Sequence, residues 1–521
     1  MSINAASSQD FGVIADLIRV HARRSPTHPA LILDEVVLSY QELDELMDRV
    51  AASLQRAGLG SGHAAGICAS TSLEYVAALL GALRAGCLVA PLAVSAAPES
   101  LAAMIRDCGA RALFLDEAAS ALLQEQELPE GITRVALEGM VPGAASFEAW
   151  IGPPGARPRP VEITAQTPFN VIYSSGTTGS PKGIVQSHGM RWQQVRSMDQ
   201  LGFDPTAVVM CATPLYSNTT LVNLFPALGW GGTAVLMRKF DAVRFLELAQ
   251  RWRATHTMLV PVQYQRIMAL PQFDRYDLSS FRLKFCTSAP FRAESKRDVL
   301  ARWPGGLIEY YGMTEGGGTC MLLAHEFPHK LHTVGQPAPG HEIRIIDEDG
   351  RELPQGEIGE VVGRSPAMMS GYLHQPEQTR EIEWYDREGR RFIRTGDIGR
   401  FDEDGFLSLL DRRKDVIISG GFNVYPSDLE SVLLKHDGVR EAAVVGVASA
   451  QWGETPVAFV VVDADRAQGG ESIRSWANAR LGKTQRLTAV EIVASLPRNA
   501  IGKVLKRQLR ESYGSSTLAS S

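Results

Sequence analysis

A run of small and hydroxylated residues between Tyr173 and Gly183 has the composition of a phosphate-binding loop. It reads Tyr-Ser-Ser-Gly-Thr-Thr-Gly-Ser-Pro-Lys-Gly and follows an apolar stretch that predicts a strand. Glycine leaves backbone N–H groups accessible to polyphosphate oxygens, and Lys182 adds a positive charge. The run is not a Walker A loop, because Gly-Lys-Ser/Thr is absent and Pro181 precedes the lysine. The simpler alternative is a surface turn rich in Ser and Gly.

A second group of chemically useful side chains, from Tyr310 to Glu315, follows a strand predicted at residues 307–310. The segment reads Tyr-Tyr-Gly-Met-Thr-Glu. An aromatic face can stack on adenine, a hydroxyl can bind a phosphate, and a carboxylate can ligate a hard cation. The pattern therefore suits a nucleotide site. A Tyr-Tyr pair at a strand end is otherwise typical of core packing.

Three further segments carry charges that suit the same ligand. Asp397, in Arg-Thr-Gly-Asp, has a carboxylate that can accept two O–H bonds from a vicinal diol, although this tetrapeptide also suits a hairpin turn. Residues 411–415 read Asp-Arg-Arg-Lys-Asp, a run of charges that alone indicates a solvated face. Lys503, in Arg-Asn-Ala-Ile-Gly-Lys, can stabilise negative charge on a phosphate, or it is a surface lysine that precedes a helix.

In this order, from about residue 38 to about residue 510, the segments resemble the motifs of the superfamily of acyl-CoA synthetases, amino-acid adenylation domains and firefly luciferase. The chain is most like a carboxylate–CoA ligase of that superfamily. The resemblance implies that it binds ATP and Mg²⁺, forms an acyl-adenylate with release of pyrophosphate, and uses coenzyme A as co-substrate. It implies catalytic roles for Lys503, Glu315 and Thr178, with Glu315 holding Mg²⁺.

The resemblance also distributes the nucleotide contacts. Tyr311 would stack on adenine, Thr314 would bind the α-phosphate, and Asp397 would bind the ribose hydroxyls. Arg412 would touch ribose or phosphate. The residues that the resemblance assigns to ATP or coenzyme A are Ser174, Ser175, Gly176, Thr177, Thr178, Gly179, Lys182, Ser288, Ala289, Pro290, Glu309, Tyr310, Tyr311, Gly312, Met313, Thr314, Asp397, Arg412, Ser419, Gly420, Gly421 and Phe422.

The segment from Ser419 to Phe422 resembles the loop that lines the tunnel for the pantetheine arm of coenzyme A. Glycines suit the close approach of a narrow ligand, but a tight turn between strands has the same composition. Lys414 resembles the hinge of a mobile C-terminal domain. By this resemblance, that domain would bring Lys503 in for adenylation and remove it before the thiol attacks.

The predicted acyl pocket is small and uncharged. Its members are Tyr216, Ser217, Asn218, Gln263, Ala289, Gly316 and Gly317. Ser217 stands where many carboxylate–CoA ligases have a histidine, and no acidic residue occurs between residues 213 and 232 to pair an α-ammonium. Because the pocket also lacks Arg and Lys, it favours a medium- or long-chain fatty acid or an aryl acid over an amino acid or a dicarboxylate.

Two other functions stay open at this stage. An acyl-AMP ligase would form the same adenylate and load an acyl carrier protein instead of coenzyme A. A non-catalytic binding relative would belong to a different class, and it predicts loss of Lys503, Glu315 or Asp397. All three residues are present.

Composition limits the remaining possibilities. The chain has 521 residues, 45% of them apolar and 21% charged, and a formal net charge of −6, which gives no indication of a nucleic-acid partner. Its six cysteines contain no CxxC pair, so we expect buried free thiols. The N-terminus lacks a secretion signal, and the longest apolar stretch, residues 76–94, is broken by Arg84, Gly86 and Pro91. These features predict a cytoplasmic protein without a membrane span.

The elements that must position these residues alternate between short apolar runs and helical patterns up to about residue 340. Strands are predicted at residues 64–68, 112–115, 170–173, 208–211, 233–236, 257–260, 283–286 and 307–310, and helices at 73–85, 242–252 and 263–270. Residues 341–419 read as short antiparallel strands with turns at Asp349-Gly350 and Asp404-Gly405. We therefore predict an α/β fold: a large N-terminal domain of doubly wound layers with a small antiparallel β subdomain (residues 1–413), and a small, mobile α+β C-terminal domain (414–521). The Ser-rich tail after Tyr513 predicts disorder.

Overall fold

The computed structural model describes residues 10–174, 182–419, 422–449, 452–463, 469–482, 485–498 and 502–518. Internal contacts divide the chain into two units. The larger unit comprises Met1–Leu331, Pro337–Glu342 and Gly363–Ile393, and the smaller comprises His332–Gln336, Ile343–Val362 and Arg394–Ser521. The expected fold class, mixed α/β with a large N-terminal and a small C-terminal domain, is confirmed. The boundary between residues 413 and 414 stays a prediction.

The first sheet of the larger unit has a parallel centre and antiparallel edges. In spatial order its strands are Gln336–Pro337, Thr319–Leu323, Gly306–Gly312, Leu283–Cys286, His256–Leu259, Val208–Cys211, Thr233–Leu236, Pro29–Leu33 and Val36–Ser39. The central strands are buried along most of their length, because helices cover both faces of a parallel sheet, and they are mainly apolar. Three of them, 208–211, 233–236 and 283–286, have the bounds predicted from the sequence.

The second sheet of the larger unit carries the predicted phosphate loop. Its strands, in spatial order, are Gly371–Tyr372, Lys182–Ser187, Pro168–Ser174, Leu88–Pro91, Ala64–Cys68, Ala110–Leu115, Thr133–Ala136 and Ala145–Ser146. The strand 371–372 and the strand 168–174 both run antiparallel to the strand 182–187, and the remaining pairs are parallel. The strand Glu383–Tyr385 pairs antiparallel with the first three residues of the strand Arg391–Phe401.

Several helices of the larger unit begin at well-formed side-chain caps. Ser39 and Glu42 form a capping box, and the side chains of Ser72, Asp116 and Asp241 accept from backbone N–H groups of their helices. The α-helices are Ile14–Arg24, Tyr40–Arg56, Leu73–Arg84, Pro98–Asp107, Glu117–Leu123, Phe147–Trp150, His188–Ser197, Asn218–Gly229, Ala242–Arg251, Pro261–Met268, Ala293–Arg302 and Pro376–Glu381, with 3₁₀ turns at Asp199–Leu201 and Phe273–Arg275. Helices 40–56, 73–84 and 218–229 share one apolar core with strands of both sheets, which is the predicted doubly wound arrangement.

The smaller unit contains two sheets. The first consists of Glu342–Ile346, Gly359–Arg364, the second part of Arg391–Phe401, and Leu407–Arg412. The predicted turns at Asp349-Gly350 and Asp404-Gly405 are confirmed, with φ of +79° and +78° at the two glycines. The second has the order Phe422–Val424, Ile417–Ser419, Gly453–Val462 and Val439–Ser449, and Ala489–Ile492 runs parallel to 453–462. A 3₁₀ turn, Arg413–Asp415, precedes this second sheet.

Alternation along the strand Val439–Ser449 builds two cores in the smaller unit. Ala442 and Val444 face the helices Pro426–Leu433 and Gly470–Asn478, whereas Ala443 and Val445 face the helix Lys506–Leu518. That last helix corrects one prediction. Residues 514–518 are helical rather than disordered, because a helix already formed over residues 506–513 extends at the cost of one residue per hydrogen bond.

All six cysteines are buried and unpaired, as expected. They are Cys68, Cys87, Cys108, Cys211, Cys286 and Cys320. In the described part of the chain, no helix combines the length and the apolar character needed to cross a membrane.

Candidate functional site

The predicted phosphate loop joins two paired strands. Pro168–Ser174 and Lys182–Ser187 form an antiparallel ladder in which Ser174 lies opposite Lys182. The ladder therefore fixes the two ends of the loop relative to each other. The predicted loop residues Ser175, Gly176, Thr177, Thr178 and Gly179 lie outside the described residues.

Tyr372 connects Lys182 with Glu315, two residues that the sequence assigned to one ligand. Its hydroxyl donates to Glu315 Oε1 at 2.8 Å, and the Lys182 ammonium lies over its ring, 5.3 Å from the centroid. Tyr372 is buried, and its burial and the adjacent Glu315 carboxylate raise the pKa of its hydroxyl. One tyrosine thus orients a carboxylate and an ammonium that are 133 residues apart in the chain.

The backbone of Thr314–Gly316, called here the 314–316 segment, is held at three successive carbonyl groups. These oxygens accept, in chain order, from the Gln186 side-chain amide at 2.8 Å, the Met369 backbone N–H at 2.8 Å and the Ser365 hydroxyl at 2.7 Å. The donors come from two segments of the larger unit, the strand Lys182–Ser187 and the loop of residues 365–370. Because the backbone is held at all three carbonyl groups, the side chains of Thr314 and Glu315 project from a fixed backbone.

Steric crowding explains the two glycines that follow. Gly316 has φ of +76°, and a Cβ there would lie 1.8 Å from the Ala367 carbonyl oxygen. A Cβ on Gly317 would lie 2.6 Å from the Ile393 Cβ. Both were predicted to line the acyl pocket, and the structure shows why neither position accommodates a side chain.

The two tyrosines of the motif lie on opposite faces of the strand Gly306–Gly312. Tyr310 stacks on Phe285, with ring centroids 5.8 Å apart, and joins the apolar core. Tyr311 pairs with Cys320 across the sheet and must face the other side. The predicted nucleotide residues Gly312 and Met313 follow it, and Met313 packs on a small apolar cluster around Ile184.

Glu309, also predicted to bind the nucleotide, is buried in an ion pair. Its carboxylate contacts the Lys296 ammonium, which in turn donates to the Leu331 carbonyl at 2.8 Å. Burial raises the pKa of Glu309 to about 7, although the Lys296 charge opposes that change. The structure therefore gives Glu309 a partner inside the protein.

The predicted adenine-covering segment, Ser288 to Pro290, follows the strand Leu283–Cys286. That strand is parallel to Gly306–Gly312, with Cys286 opposite Glu309, so the segment lies at the same sheet edge as the tyrosine motif. Ser288 has φ of +79°, which is unusual for a residue with a side chain. Its hydroxyl is hydrogen-bonded to the Thr219 hydroxyl at 2.9 Å.

Three of the predicted acyl-pocket residues, Tyr216, Ser217 and Asn218, lie at the start of the helix Asn218–Gly229. Ser217 is the buried N-cap position of that helix, and the Tyr216 hydroxyl lies 3.2 Å from Ser95 Oγ. Gln263 is buried as well, but its amide donates to the Ala212 carbonyl at 3.0 Å and accepts from the Val260 N–H at 3.1 Å. Gln263 therefore braces the pocket wall rather than offering a free polar group.

In the smaller unit, Asp397 and Arg412 lie opposite each other on paired strands and form an ion pair at 2.7 Å. The Lys503 side chain, which keeps an exposed surface, is close to this pair. Partial burial, followed by the charge of Arg412, lowers the pKa of Lys503 to about 8, and the charge of Asp397 opposes the shift. Three residues assigned to one reaction are thus neighbours within this unit.

The remaining predicted residues of the smaller unit that the structure describes lie on the paired strands Ile417–Ser419 and Phe422–Val424 and in the turn before them. Lys414 is in the 3₁₀ turn Arg413–Asp415, and burial lowers its pKa. Ser419 lies opposite Phe422, whose side chain is 60% exposed. The predicted residues Gly420 and Gly421 between them lie outside the described residues.

Sequence reasoning did not identify Tyr372, Gln186 or Thr219. Tyr372 lies on a two-residue strand, Gln186 in a strand of mixed polar and apolar residues, and Thr219 inside a helix. Their partners lie 57, 128 and 69 residues away. Nothing in the local sequence indicated those contacts.

The donor set around Glu315 suits Mg²⁺. The described residues contain no group of three or more His, Cys, Asp or Glu side chains able to hold a metal ion. Mg²⁺ in nucleotide sites is usually held by one or two carboxylates together with phosphate oxygens. Glu315, with Oε1 held by Tyr372, meets that requirement with its second oxygen.

Two family models match the chain, and both represent AMP-binding enzymes. The AMP-binding enzyme model matches residues 18–373, and the model of the AMP-binding enzyme C-terminal domain matches residues 428–503. The chain belongs to the AMP-binding enzyme family. The resemblance to acyl-adenylate-forming enzymes is therefore confirmed, and Lys503 is the last residue of the second match.

Individual members of the AMP-binding enzyme family match over nearly the whole chain. A fatty acid–[acyl-carrier-protein] ligase from Streptomyces coeruleorubidus is 30% identical, over 95% of this chain and 95% of its own. An indoleacetate–CoA ligase from Aromatoleum aromaticum is 32% identical, over 96% of this chain and 98% of its own. The structure of ATP-bound MatB from Rhodopseudomonas palustris is 30% identical, with a TM-score of 0.86 over 96% of this chain and 99% of that one.

Proposed function

We propose that this AMP-binding enzyme is an ATP-dependent carboxylic acid–CoA ligase that acts through an acyl-adenylate. The observation that carries the proposal is the contact of Tyr372 with both Lys182 and Glu315 beside the phosphate-loop hairpin. Tyr372 brings the Lys182 ammonium and the Glu315 carboxylate together beside the loop proposed to bind the triphosphate. Family membership and the ligase activities of the relatives support the same reaction.

In the first step a carboxylate oxygen of the acid attacks the α-phosphorus of ATP. The bond between the α-phosphorus and the bridging oxygen breaks, and pyrophosphate leaves. Lys182, the Thr314 hydroxyl and Lys503 stabilise the negative charge that develops on the phosphates. Glu315 holds Mg²⁺, which neutralises charge on the phosphate oxygens when bound.

The nucleoside is oriented by separate groups. Tyr311 and the segment Ser288 to Pro290 cover the two faces of adenine, which suits their position at one sheet edge. Asp397 accepts from the ribose hydroxyls, and its ion pair with Arg412 orients the carboxylate.

In the second step the thiol of coenzyme A attacks the carbonyl carbon of the adenylate, and AMP leaves. We assign the path of the pantetheine arm to the loop from Ser419 to Phe422. Lys503 is required for the first step only, so we propose that the C-terminal domain, residues 414–521, turns about Lys414 between the two steps.

The acid is a fatty or an aryl acid. The buried wall formed by Ser217 and Gln263 offers no charged group, which suits an apolar chain or ring. Relatives named for a fatty acid, indoleacetate and ferulate span the same range.

A second acceptor is supported by one relative, the fatty acid–[acyl-carrier-protein] ligase. In that case an acyl carrier protein would replace coenzyme A and would receive the acyl group from the same adenylate as a thioester. We also propose a cytoplasmic location, where the six buried free thiols would remain reduced.

The test is ATP–pyrophosphate exchange with a panel of fatty, aryl and amino acids, followed by thioester analysis with coenzyme A. We expect exchange with one fatty or aryl class and a loss of at least about 100-fold in Lys503→Ala. Lys435→Ala, which removes an exposed lysine of the same unit, is the matched control and should leave the rate unchanged. Exchange without thioester would transfer the proposal to a carrier protein, and no exchange with any acid would refute it.

A further inference from the structure

A chain of buried amide groups runs from Arg191 to the 314–316 segment. Arg191 Nε donates to Asn170 Oδ1 at 2.9 Å, Asn170 Nδ2 donates to Gln186 Oε1 at 3.1 Å, and Gln186 Nε2 donates to the Thr314 carbonyl at 2.8 Å. Arg191, Asn170 and Gln186 have exposed fractions of 0%, 1% and 0%. Every donor in the chain therefore points away from the arginine.

The two ends of this chain determine its direction. A guanidinium only donates and a backbone carbonyl only accepts. The Asn170 atom that faces Arg191 must therefore be oxygen, and the Gln186 atom that faces Thr314 must be nitrogen. Reversing either amide would bring two donors or two acceptors together, so the network has one satisfied arrangement.

Arg191 is an unusual residue to bury at this place. No ion pair to a carboxylate is recorded for it in the described part of the chain, and its guanidinium lies 5.9 Å and 5.5 Å from the ring centroids of Phe169 and Phe225. Burial lowers the pKa of Arg191 to about 9, which still leaves it protonated at neutral pH. Its charge polarises the amides that follow, and such polarisation strengthens the last bond, to Thr314.

The position of Gln186 gives the chain of amides a consequence for the site. Asn170 and Gln186 face each other on the two strands that carry the phosphate loop. Gln186 then reaches across to the segment that bears Thr314 and Glu315. One side chain therefore sets the separation between the loop hairpin and the residues proposed to contact the α-phosphate and Mg²⁺.

We propose that Gln186, oriented by Asn170 and Arg191, is a positioning residue that holds Thr314 in register with the phosphate loop for adenylation. This inference rests on the proposed function. The alternative is that the network only satisfies the buried arginine. The two explanations differ because Arg191 has another partner, Gln194, which accepts from its Nη1 at 2.9 Å and does not lead to Thr314.

The test compares Gln186→Met with Gln194→Met in the full chain. Both substitutions remove one amide from the arginine network at similar volume, but only the first releases the Thr314 carbonyl. For each variant, kcat and KM for ATP and for the acid are measured in pyrophosphate exchange, with thermal unfolding as a separate readout. Gln186→Glu is the second variant, since it keeps the acceptor toward Asn170 and replaces the donor toward Thr314.

We expect Gln186→Met and Gln186→Glu to lower kcat by about tenfold or more with KM for the acid within about twofold, because small displacements of a positioned group cost rate rather than acid binding. Gln194→Met should keep kcat within about twofold of wild type. Equal losses in Gln186→Met and Gln194→Met, or an unchanged kcat in both Gln186 variants, would overturn the inference. A wild-type protein that exchanges with no acid would instead refute the proposed function, and this inference with it.

Discussion

Removal of the Tyr372 hydroxyl is the perturbation whose effect follows most directly from the geometry of the site. Tyr372→Phe keeps the ring under Lys182 and deletes only the 2.8 Å hydrogen bond to Glu315. A buried hydrogen bond to a charged group contributes about 1.5–3 kcal/mol. If the bond orients Glu315 in the transition state, kcat/KM for MgATP should fall by about 10- to 150-fold, since 1.4 kcal/mol is a factor of ten.

The chain offers a matched control for this change. Tyr385 is 54% exposed, and its hydroxyl donates to Glu383 Oε2 at 3.0 Å. Tyr385→Phe therefore removes the same kind of bond at an exposed position, and it should change kcat/KM by less than about twofold.

A double-mutant cycle identifies the partner of the hydroxyl. The assay is pyrophosphate exchange at several MgCl₂ concentrations with Tyr372→Phe, Glu315→Gln and the combination. Strong coupling is expected, because the hydroxyl acts through the carboxylate. The reasoning is refuted if Tyr372→Phe behaves like Tyr385→Phe, or if its loss is fully retained in the Glu315→Gln background.

Three further outcomes follow from buried or strained groups. Because the pKa of Lys503 is lowered to about 8, its side chain loses its positive charge as pH rises through that value. The rate of adenylation should therefore decline above about pH 8. In a pH–rate profile, Lys503→Arg should show a smaller decline. The free energy of unfolding in denaturant should be about 1–2 kcal/mol higher for Ser288→Gly than for Ser288→Ala, because φ is +79° at this residue. This is the reverse of the usual order of glycine and alanine. Equal stabilities of the two variants would contradict backbone strain at Ser288. Lys296→Met should destabilise the larger unit by about 3–5 kcal/mol in urea unfolding, because it leaves the buried Glu309 carboxylate without its partner. Combining Lys296→Met with Glu309→Leu should recover most of that loss. The pairing is refuted if Lys296→Met alone destabilises the protein no more than the double substitution does.

Much of the fold was predictable because the buried parallel strands have a clear sequence pattern. Val208–Cys211, Thr233–Leu236 and Leu283–Cys286 are short, mainly apolar runs between helical patterns, and their bounds agree with the sequence analysis. Pro29–Leu33 and Val36–Ser39, by contrast, were not predicted. Val36–Ser39 is a partly exposed edge strand, whereas Pro29–Leu33 is a buried parallel strand with the same apolar pattern as the strands that were predicted.

The site was predictable as far as its motifs are contiguous. Glu315 and Lys182 belong to local patterns that indicate chemistry without any knowledge of the fold. Tyr372 and Gln186 act through contacts that depend on strand register, and a shift of one residue would turn either side chain to the opposite face. Glu309 shows the same dependence on the fold, since its ion pair with Lys296 joins residues of a strand and a helix and has no local sequence signal.

The central claim is that an acyl-adenylate forms before the thioester, and the transfer of oxygen tests it directly. The acid that supports exchange is labelled with ¹⁸O in its carboxylate and incubated with ATP and coenzyme A, and the nucleotide product is analysed by mass spectrometry. The account predicts AMP that carries one labelled oxygen from the acid, because that oxygen bridges to the α-phosphorus and leaves with it. Unlabelled AMP, or label in inorganic phosphate with ADP as the nucleotide, would contradict the account.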